Sequence, residues 1–233
     1  MPLASIELRW FLEDAAVRPS SLRRWFRGQE VGRARPLAPM VDRRPDLYLL
    51  AGCARDVGIK WREGRLEIKG RREGLGTRSF DGGHEGSVER WLKWSLGQGR
   101  GPRRMRVLED LAATKPYWFR VEKSRLLRKI EARTNGLLME VPAKRRDVSQ
   151  GVSVELTRVR CRMGVWWSIA FEGFPDGAIR PETLDRVAGA FLISLDGVRL
   201  EARHSLSYPE WIQERLSHAP KGIVTNTVGR FDF

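Results

Sequence analysis

The stretch VGIKWREGRLEIKGRR, residues 57–72, determines how the rest of the chain is interpreted. It predicts two β-strands, VGIKWR and RLEIKGR, joined at Glu63-Gly64, where glycine supplies the backbone freedom that a tight turn needs. Because side chains alternate along a strand, one face of this hairpin carries Ile59, Trp61, Leu66 and Ile68. The other face carries Lys60, Arg62, Glu67, Lys69 and Arg71. This pattern is typical of an antiparallel sheet with one packed side and one side that meets solvent or an anionic ligand.

The composition is that of a folded, strongly basic chain. Its 233 residues are 41% hydrophobic and include nine Trp and nine Phe, which excludes a disordered basic tail. Lys and Arg total 43 against 29 acidic residues, giving a formal net charge of +14. This excess predicts attraction to polyanions such as nucleic acid, polyphosphate, nucleotides or an anionic membrane surface, without selecting among them.

The cysteine, histidine and apolar patterns exclude several classes of protein. Cys53 and Cys161 have no motif around them, and the scattered histidines lack the spacing of a zinc site or of a Ser-His or Cys-His pair. No apolar run approaches the roughly 20 residues that span a bilayer, and the N-terminus lacks a basic region followed by an apolar one. We therefore expect a cytoplasmic protein without membrane association, in which any metal is bound by oxygen.

Alternating apolar and polar residues predict eight to ten strands with a few helices between them. Besides the hairpin, the predicted strands are 5–12, 46–53, 87–97, 117–132, 136–142, 152–163, 165–174 and 198–206. A short helix is the alternative for 87–97. The predicted helices are 19–28, 106–113, 181–191 and 208–216, and irregular structure is expected at 29–45 and at the glycine-rich 75–86. The prediction is an α+β protein dominated by antiparallel strands.

The segment GQGRGPRRMR, residues 97–106, combines glycine, proline and four arginines, which predicts a linker. It divides a single domain into two strand-rich halves, about 1–96 and 107–233. An RNA-binding role of the linker is the alternative to a solvated basic loop. SIELRWF at 5–11 and SVELTRV at 153–159 share a pattern of Ser, apolar, Glu and Leu, which suggests that the halves are related strand sets.

Cations recur at alternating positions of five predicted strands. They are Arg9, Lys60, Arg62, Lys69, Arg71, Lys93, Lys123 and Arg125, interleaved with Glu7, Glu67, Glu155 and Glu172. In a flat sheet this face would be solvated, whereas in a closed barrel it would repel itself unless anions entered. A triphosphate suits such an interior, because Lys and Arg neutralise phosphate oxygens and carboxylates hold a divalent cation. The alternative is that the cations are surface residues and the glutamates their ion-pair partners.

The order of these strands resembles the CYTH, or triphosphate tunnel metalloenzyme, superfamily. The resemblance rests on Ser5-Ile6-Glu7-Leu8-Arg9 as an ExExK-like strand, on Lys60 and Arg62, and on Glu67-Ile68-Lys69 as a TxK-like strand. Lys123 and Arg125 correspond to its later basic strand, and Glu155 and Glu172 to its acidic strands. The resemblance implies an antiparallel eight-stranded closed β-tunnel with a few peripheral helices.

The resemblance also implies roles for these residues. The eight cations would bind phosphate, Glu7, Glu155 and Glu172 would hold Mg²⁺ or Mn²⁺, and water would be the nucleophile, with no catalytic residue assigned. The chain departs from the family where Ser5, Ser168 and Ala170 replace carboxylates and Arg9 replaces lysine. The sequence thus predicts a tunnel that binds a phosphate-rich anion, with metal-dependent triphosphate hydrolysis as an extension. The alternatives are a nucleic-acid-binding module with an open basic sheet and a non-catalytic interaction protein.

Overall fold

A computed structural model of the chain describes residues 2–32, 35–50, 55–97, 117–175 and 179–217. The strands are β1 (Leu3–Glu13), β2 (Met40–Leu49), β3 (Val57–Arg62), β4 (Arg65–Phe80), β5 (His84–Leu96), β6 (Trp118–Ala132), β7 (Leu138–Val141), β8 (Gly151–Cys161) and β9 (Gly164–Phe174). The α-helices are α1 (Pro19–Gly28), α2 (Pro181–Leu192) and α3 (Tyr208–Ser217). Among the described residues, no helix has both the length and the apolar character required to cross a membrane.

Eight of the strands form a closed barrel. Their order is β2-β3-β4-β5-β1-β9-β8-β6, and pairing of β2 with β6 closes the ring, while β7 pairs with the end of β6. All of these pairings are antiparallel. The structure therefore confirms the predicted α+β class and the closed eight-stranded antiparallel β-tunnel.

The 57–72 hairpin is formed by β3 and the first half of β4, as predicted. Arg62 pairs with Arg65 across a two-residue turn, in which Glu63 has φ 48° and Gly64 has φ 78°. Positive φ at both central residues is the geometry that matches the twist of the flanking strands. The turn fixes the register, so Lys60 lies opposite Glu67. Both side chains point into the barrel.

The main hydrophobic core lies outside the barrel, between its wall and the helices. The outward side chains of β1, β8 and β9, such as Ile6, Val154 and Phe171, pack with residues of α1 and α2. Trp10 of β1 is fully buried there, and its indole Nε1 donates a 2.7 Å hydrogen bond to the carbonyl oxygen of Glu85. Apolar residues therefore cover the outside of the wall, and the polar positions of the strands are left facing inward.

A second apolar cluster fills one end of the barrel. Phe11, Phe119 and Trp166 meet Trp211 of α3, and the rings of Phe11 and Trp211 stack with centroids 4.7 Å apart. Further along the same strand faces lie charged side chains, such as Arg9 of β1, Lys123 of β6 and Glu172 of β9. The barrel interior is thus apolar near α3 and ionic further along.

Four sequence predictions about the elements are corrected by the structure. Residues 29–45 are not irregular throughout, because β2 begins at Met40. The strand expected at 46–53 is displaced, because β2 ends at Leu49. Pro45 is tolerated because β3 pairs only from Leu47 onward, which leaves one side of β2 unpaired there. The glycine-rich 75–86 belongs mostly to β4 and β5, with a bulge between Gly74 and Thr77. The segment 198–206 has no strand and contains a 3₁₀-helix at Ala202–His204.

The linker and the helix expected at 106–113 lie outside the described residues, except for Gly97. The predicted strands at 5–12, 87–97 and 117–132 and the helices at 19–28, 181–191 and 208–216 are confirmed within a few residues.

Candidate functional site

The barrel encloses a cavity of about 120 Å³ with an ionic lining. Eight cationic side chains and four carboxylates line it: Arg9, Arg44, Lys60, Arg62, Lys69, Lys93, Lys123, Arg125, Glu7, Glu67, Glu155 and Glu172. The strands place these groups together because their alternate residues all face inward. Ser207, Tyr208 and Pro209, at the start of α3, complete the lining.

The structure brings most of the predicted site residues to this cavity. All three predicted metal ligands line it, as do all the predicted phosphate-binding cations except Arg71. Arg71 immediately precedes a bulge in β4 and instead contacts Glu89, Asp56 and Glu210, the last at 2.8 Å. Arg71 therefore connects the barrel wall to α3.

Asp46 is the most deeply buried acid of the site. Its carboxylate is fully buried and lies 2.8 Å from Lys123 Nζ and 3.8 Å from Lys60 Nζ. Arg44 Nε is 3.5 Å away. Burial opposes ionisation, but Lys123 and Lys60 together hold the pKa of Asp46 well below its usual range. Asp46 is therefore a permanent counter-charge behind the cavity wall.

Glu155 has a similar role at another part of the wall. Its carboxylate accepts charged contacts from Arg125 Nη2 at 2.6 Å and Arg9 Nη1 at 3.3 Å, and the Thr157 hydroxyl donates at 2.7 Å. Burial alone would raise the pKa of Glu155, yet Arg125 and Arg9 lower it well below its usual value. Both oxygens of this carboxylate are already occupied by donors of the protein.

Glu7 and Glu67 are paired in the same way. Lys69 contacts Glu7, to which the Ser5 hydroxyl also donates a 2.9 Å hydrogen bond. Lys60 Nζ lies 3.1 Å from Glu67, which Arg62 also contacts. Burial opposes ionisation of both glutamates, but their neighbouring cations leave each pKa below its usual value.

Two lysines of the cavity, Lys60 and Lys123, have a lowered pKa, because burial and neighbouring cations disfavour their charged form. Burial lowers the pKa of Lys60 and, although Asp46 raises it, Arg62 and Lys69 lower it further. Burial also lowers the pKa of Lys123, whose Nζ donates to the Tyr48 hydroxyl at 2.8 Å and lies 3.5 Å from the ring centre of Tyr208. An anion entering the cavity would favour the charged form of both lysines.

Among the described residues, the eight cations of the lining meet its four glutamates and two aspartates beside it, Asp42 and Asp46, so part of the positive charge still has no counter-charge. Lys93 is the clearest case, because it forms no ion pair with any residue that the structure describes. Its side chain is half-buried and available to the cavity.

Sequence reasoning missed Arg44, Asp46, Tyr48 and Tyr208. The first three belong to an alternating series in β2, Asp42-Arg44-Asp46-Tyr48, which predicts an inward polar face once 40–49 is recognised as a strand. Tyr208 reaches the cavity from α3, and no strand periodicity could have indicated it.

The donor set of the predicted metal ligands does not match a metal site. The described ranges contain no group of three or more His, Cys, Asp or Glu side chains placed to hold a metal ion. Glu7 and Glu155 are occupied by Lys69, Arg9 and Arg125, whereas Mg²⁺ and Mn²⁺ need free oxygen ligands. Only Glu172, which forms no ion pair with another described residue, retains a free carboxylate.

Comparisons with known proteins do not assign a family. No protein-family model matches the chain, and no curated protein matches it in sequence. Among solved structures, it is similar to a conserved hypothetical protein from Pyrococcus furiosus, at 12% identity over 88% of this chain and 98% of the other, with a TM-score of 0.41. It is also similar to HpAC1 from Hippeastrum, named as a candidate adenylyl cyclase with a dominant triphosphatase activity, at 12% identity over 82% and 86% of the chains and a TM-score of 0.37.

Proposed function

We propose that the ionic cavity binds a phosphate-rich anion of the triphosphate, polyphosphate or nucleotide class. The observation that carries this proposal is the excess of eight described lining cations over six carboxylates, the four glutamates of the lining and the aspartates Asp42 and Asp46 beside it. Buried like charges are costly unless a counter-ion compensates them, and phosphate oxygens are suitable partners for Lys and Arg. The carboxylates then serve to hold the cations in place.

The closed barrel and the inward positions of Glu7, Arg9, Lys60 and Lys69 also support the hypothesis that the chain is a divergent relative of the CYTH superfamily. Metal-dependent hydrolysis of a triphosphate is the activity that this hypothesis would add. The occupied carboxylates favour binding without a resident metal over hydrolysis.

The nucleic-acid alternative, in the form that required an open basic sheet, is not supported, because pairing of β2 with β6 closes the sheet. A non-catalytic interaction protein remains the competing hypothesis. In that case the cations would pair only with internal acids, and no anion would stabilise the fold.

Lys93→Met is the variant that tests the proposal most directly, because Lys93 forms no ion pair with a described residue and its removal leaves no described carboxylate without its partner. Calorimetric titration of the wild type with tripolyphosphate should show saturable binding. Loss of one charge-assisted contact, about 1.5–3 kcal/mol, predicts that Lys93→Met weakens binding roughly ten-fold or more. Lys144→Met, at an exposed lysine outside the cavity, is the matched control and should bind as the wild type does.

Two outcomes would contradict the proposal: absence of binding to the wild type, or equal loss in both lysine variants. Phosphate release from tripolyphosphate and ATP, measured with Mg²⁺ present, separately tests the hydrolysis hypothesis. We expect release no faster than in a protein-free sample.

A further inference from the structure

A second group of cations lies on the outer wall of the barrel, away from the ionic cavity. Asp42, Arg44, Lys123 and Glu155 face inward, so the residues that alternate with them face outward. Among the outward residues, Arg43 of β2 pairs with Ser124 of β6, and Ser124 pairs with Arg158 of β8. These three residues form one row across three neighbouring strands.

The row continues to α1. Arg158 pairs in register with Trp167 of β9, and the Arg23 guanidinium of α1 lies 5.0 Å from the ring centre of Trp167. Arg27 lies one helical turn further along α1. The four arginines and Ser124 line a groove of about 390 Å³ between α1 and the barrel wall, which Arg125 of the ionic cavity also borders. We name this feature the outer arginine groove.

The charges of the four outer arginines are not neutralised by any residue that the structure describes. Among the described residues, the lining of the groove includes no acidic side chain. Within the described ranges, Arg23, Arg27, Arg43 and Arg158 form no ion pair, in contrast to most cations of the ionic cavity. Three of the four are exposed and Arg158 is half-buried. The groove is therefore a site where anions can replace water without displacing an internal partner.

From this placement we propose that the outer arginine groove binds the phosphate backbone of a single-stranded nucleic acid. Adjacent strands are about 4.8 Å apart, so the row from β2 to β9 is about 14 Å long. The row is too long for a single small anion, and its concave position beside α1 suits a strand better than a flat membrane surface.

The neighbouring row of the wall favours a nucleic acid over inorganic polyphosphate. Val41, Leu126 and Leu156 pair in register there, and Val41, which is 60% exposed, and the half-buried Leu126 give the groove an apolar surface. Sugars and bases can contact such a surface, whereas polyphosphate has no apolar part. Trp167 is only 2% exposed, so it cannot stack on a base. Binding should accordingly depend on phosphate contacts and be independent of base sequence.

The test is the salt dependence of binding to a fluorescein-labelled oligothymidylate without a terminal phosphate, followed by anisotropy. Each phosphate contact on a single strand contributes a slope of about −0.7 in log affinity against log salt, so four arginines predict a slope of about −2.8. The double variant Arg43→Gln and Arg158→Gln should lose about half of this slope. The double variant Arg133→Gln and Arg203→Gln, which removes the same charge from side chains 46% and 72% exposed elsewhere, should keep it.

An equal loss of slope in both double variants would overturn the proposal, because it would show a general effect of net charge. Absence of oligothymidylate binding, or binding of anionic vesicles or polyphosphate in its place, would overturn it as well. The outcome is independent of the ionic cavity: the groove variant should retain the wild-type affinity for tripolyphosphate, and failure of tripolyphosphate to bind would leave the oligothymidylate result unchanged.

Discussion

Replacement of Asp46 by asparagine tests whether internal carboxylates hold the cationic barrel together. The substitution keeps the size of the side chain and removes its charge. Asp46 is fully buried, and its partner Lys123 has a side chain only 4% exposed, so water cannot replace the lost counter-charge. The expected result is a folded but strongly destabilised protein.

The magnitude follows from the geometry of the pair. At 2.8 Å, and with an effective dielectric constant of about 20, the attraction between the two charges is about 6 kcal/mol. Part of this is recovered by relaxation, and removal of one partner of a buried ion pair costs about 3–5 kcal/mol. For a chain of this size, each kcal/mol lowers the melting temperature by about 2–4 °C. Asp46→Asn should therefore lower it by about 6–20 °C.

Thermal and urea unfolding of matched variants provide the assay. Asp147→Asn removes an acid whose side chain is 72% exposed and pairs with Arg145 at 2.9 Å, and such surface pairs contribute about 1 kcal/mol or less. The double variant Asp46→Asn with Lys123→Met removes both buried charges and should be more stable than Asp46→Asn alone. If Asp46→Asn and Asp147→Asn lose equal stability, the reasoning is refuted.

The pH dependence of the same variants provides an independent check. The lowered pKa of Asp46 means that the folded state binds fewer protons than the unfolded state, whose carboxyl has a pKa of about 3.9. The stabilisation is therefore present above that value and is lost as the pH falls through the lower pKa of the folded state. The difference in unfolding free energy between the wild type and Asp46→Asn should be largest near neutral pH and should shrink in acid.

Two further predictions concern metal dependence and backbone packing. Because cations of the protein occupy Glu7 and Glu155, Mg²⁺ should weaken tripolyphosphate binding by reducing the charge of the free anion, and Glu172→Gln should leave this dependence on Mg²⁺ unchanged. Calorimetry with Mg²⁺ or EDTA measures both effects. Tighter tripolyphosphate binding with Mg²⁺ that Glu172→Gln abolishes would contradict both predictions. Gly86→Ala should cost about 1–3 kcal/mol, because its Cβ would contact the buried Trp10 ring and come within 2.7 Å of Leu8. Gly189 lies on α2 with open space around it, so Gly189→Ala should instead raise the free energy of unfolding by about 0.5–1 kcal/mol. Thermal unfolding measures both variants, and similar changes in stability for the two would disprove the packing argument.

The sequence predicted which strand faces are charged better than it predicted where the strands end. The hairpin at 57–72 was recognisable because a two-residue turn separates two strictly alternating runs. The segment 40–49 was not, because Pro45 normally argues against a strand, and its tolerance depends on where β3 begins to pair. The glycines of 75–86 likewise belong to long paired strands, and only the pairing partner reveals this.

The ion-pair partners of the charged side chains could not be predicted either, because they depend on which strands pair. Glu155 lies 146 residues from Arg9 and 30 from Arg125, and the pairing of β1 with β9, of β9 with β8 and of β8 with β6 brings the three together. Periodicity placed each of them on an inward face, but it contains no information about which strands are neighbours. The metal role predicted for Glu155 arose from this gap, since an inward glutamate can bind a metal or a neighbouring arginine equally well.

The ionic cavity links stability to ligand binding. Its internal acids neutralise only part of its cations, and burial together with the nearby Arg62 and Lys69 lowers the pKa of Lys60. A bound polyanion would relieve this repulsion in the folded state only, because the unfolded chain separates the same charges. If the ionic cavity is a phosphate site, tripolyphosphate should therefore stabilise the fold most in variants that lack an internal acid, such as Asp46→Asn, where more positive charge is left without a partner.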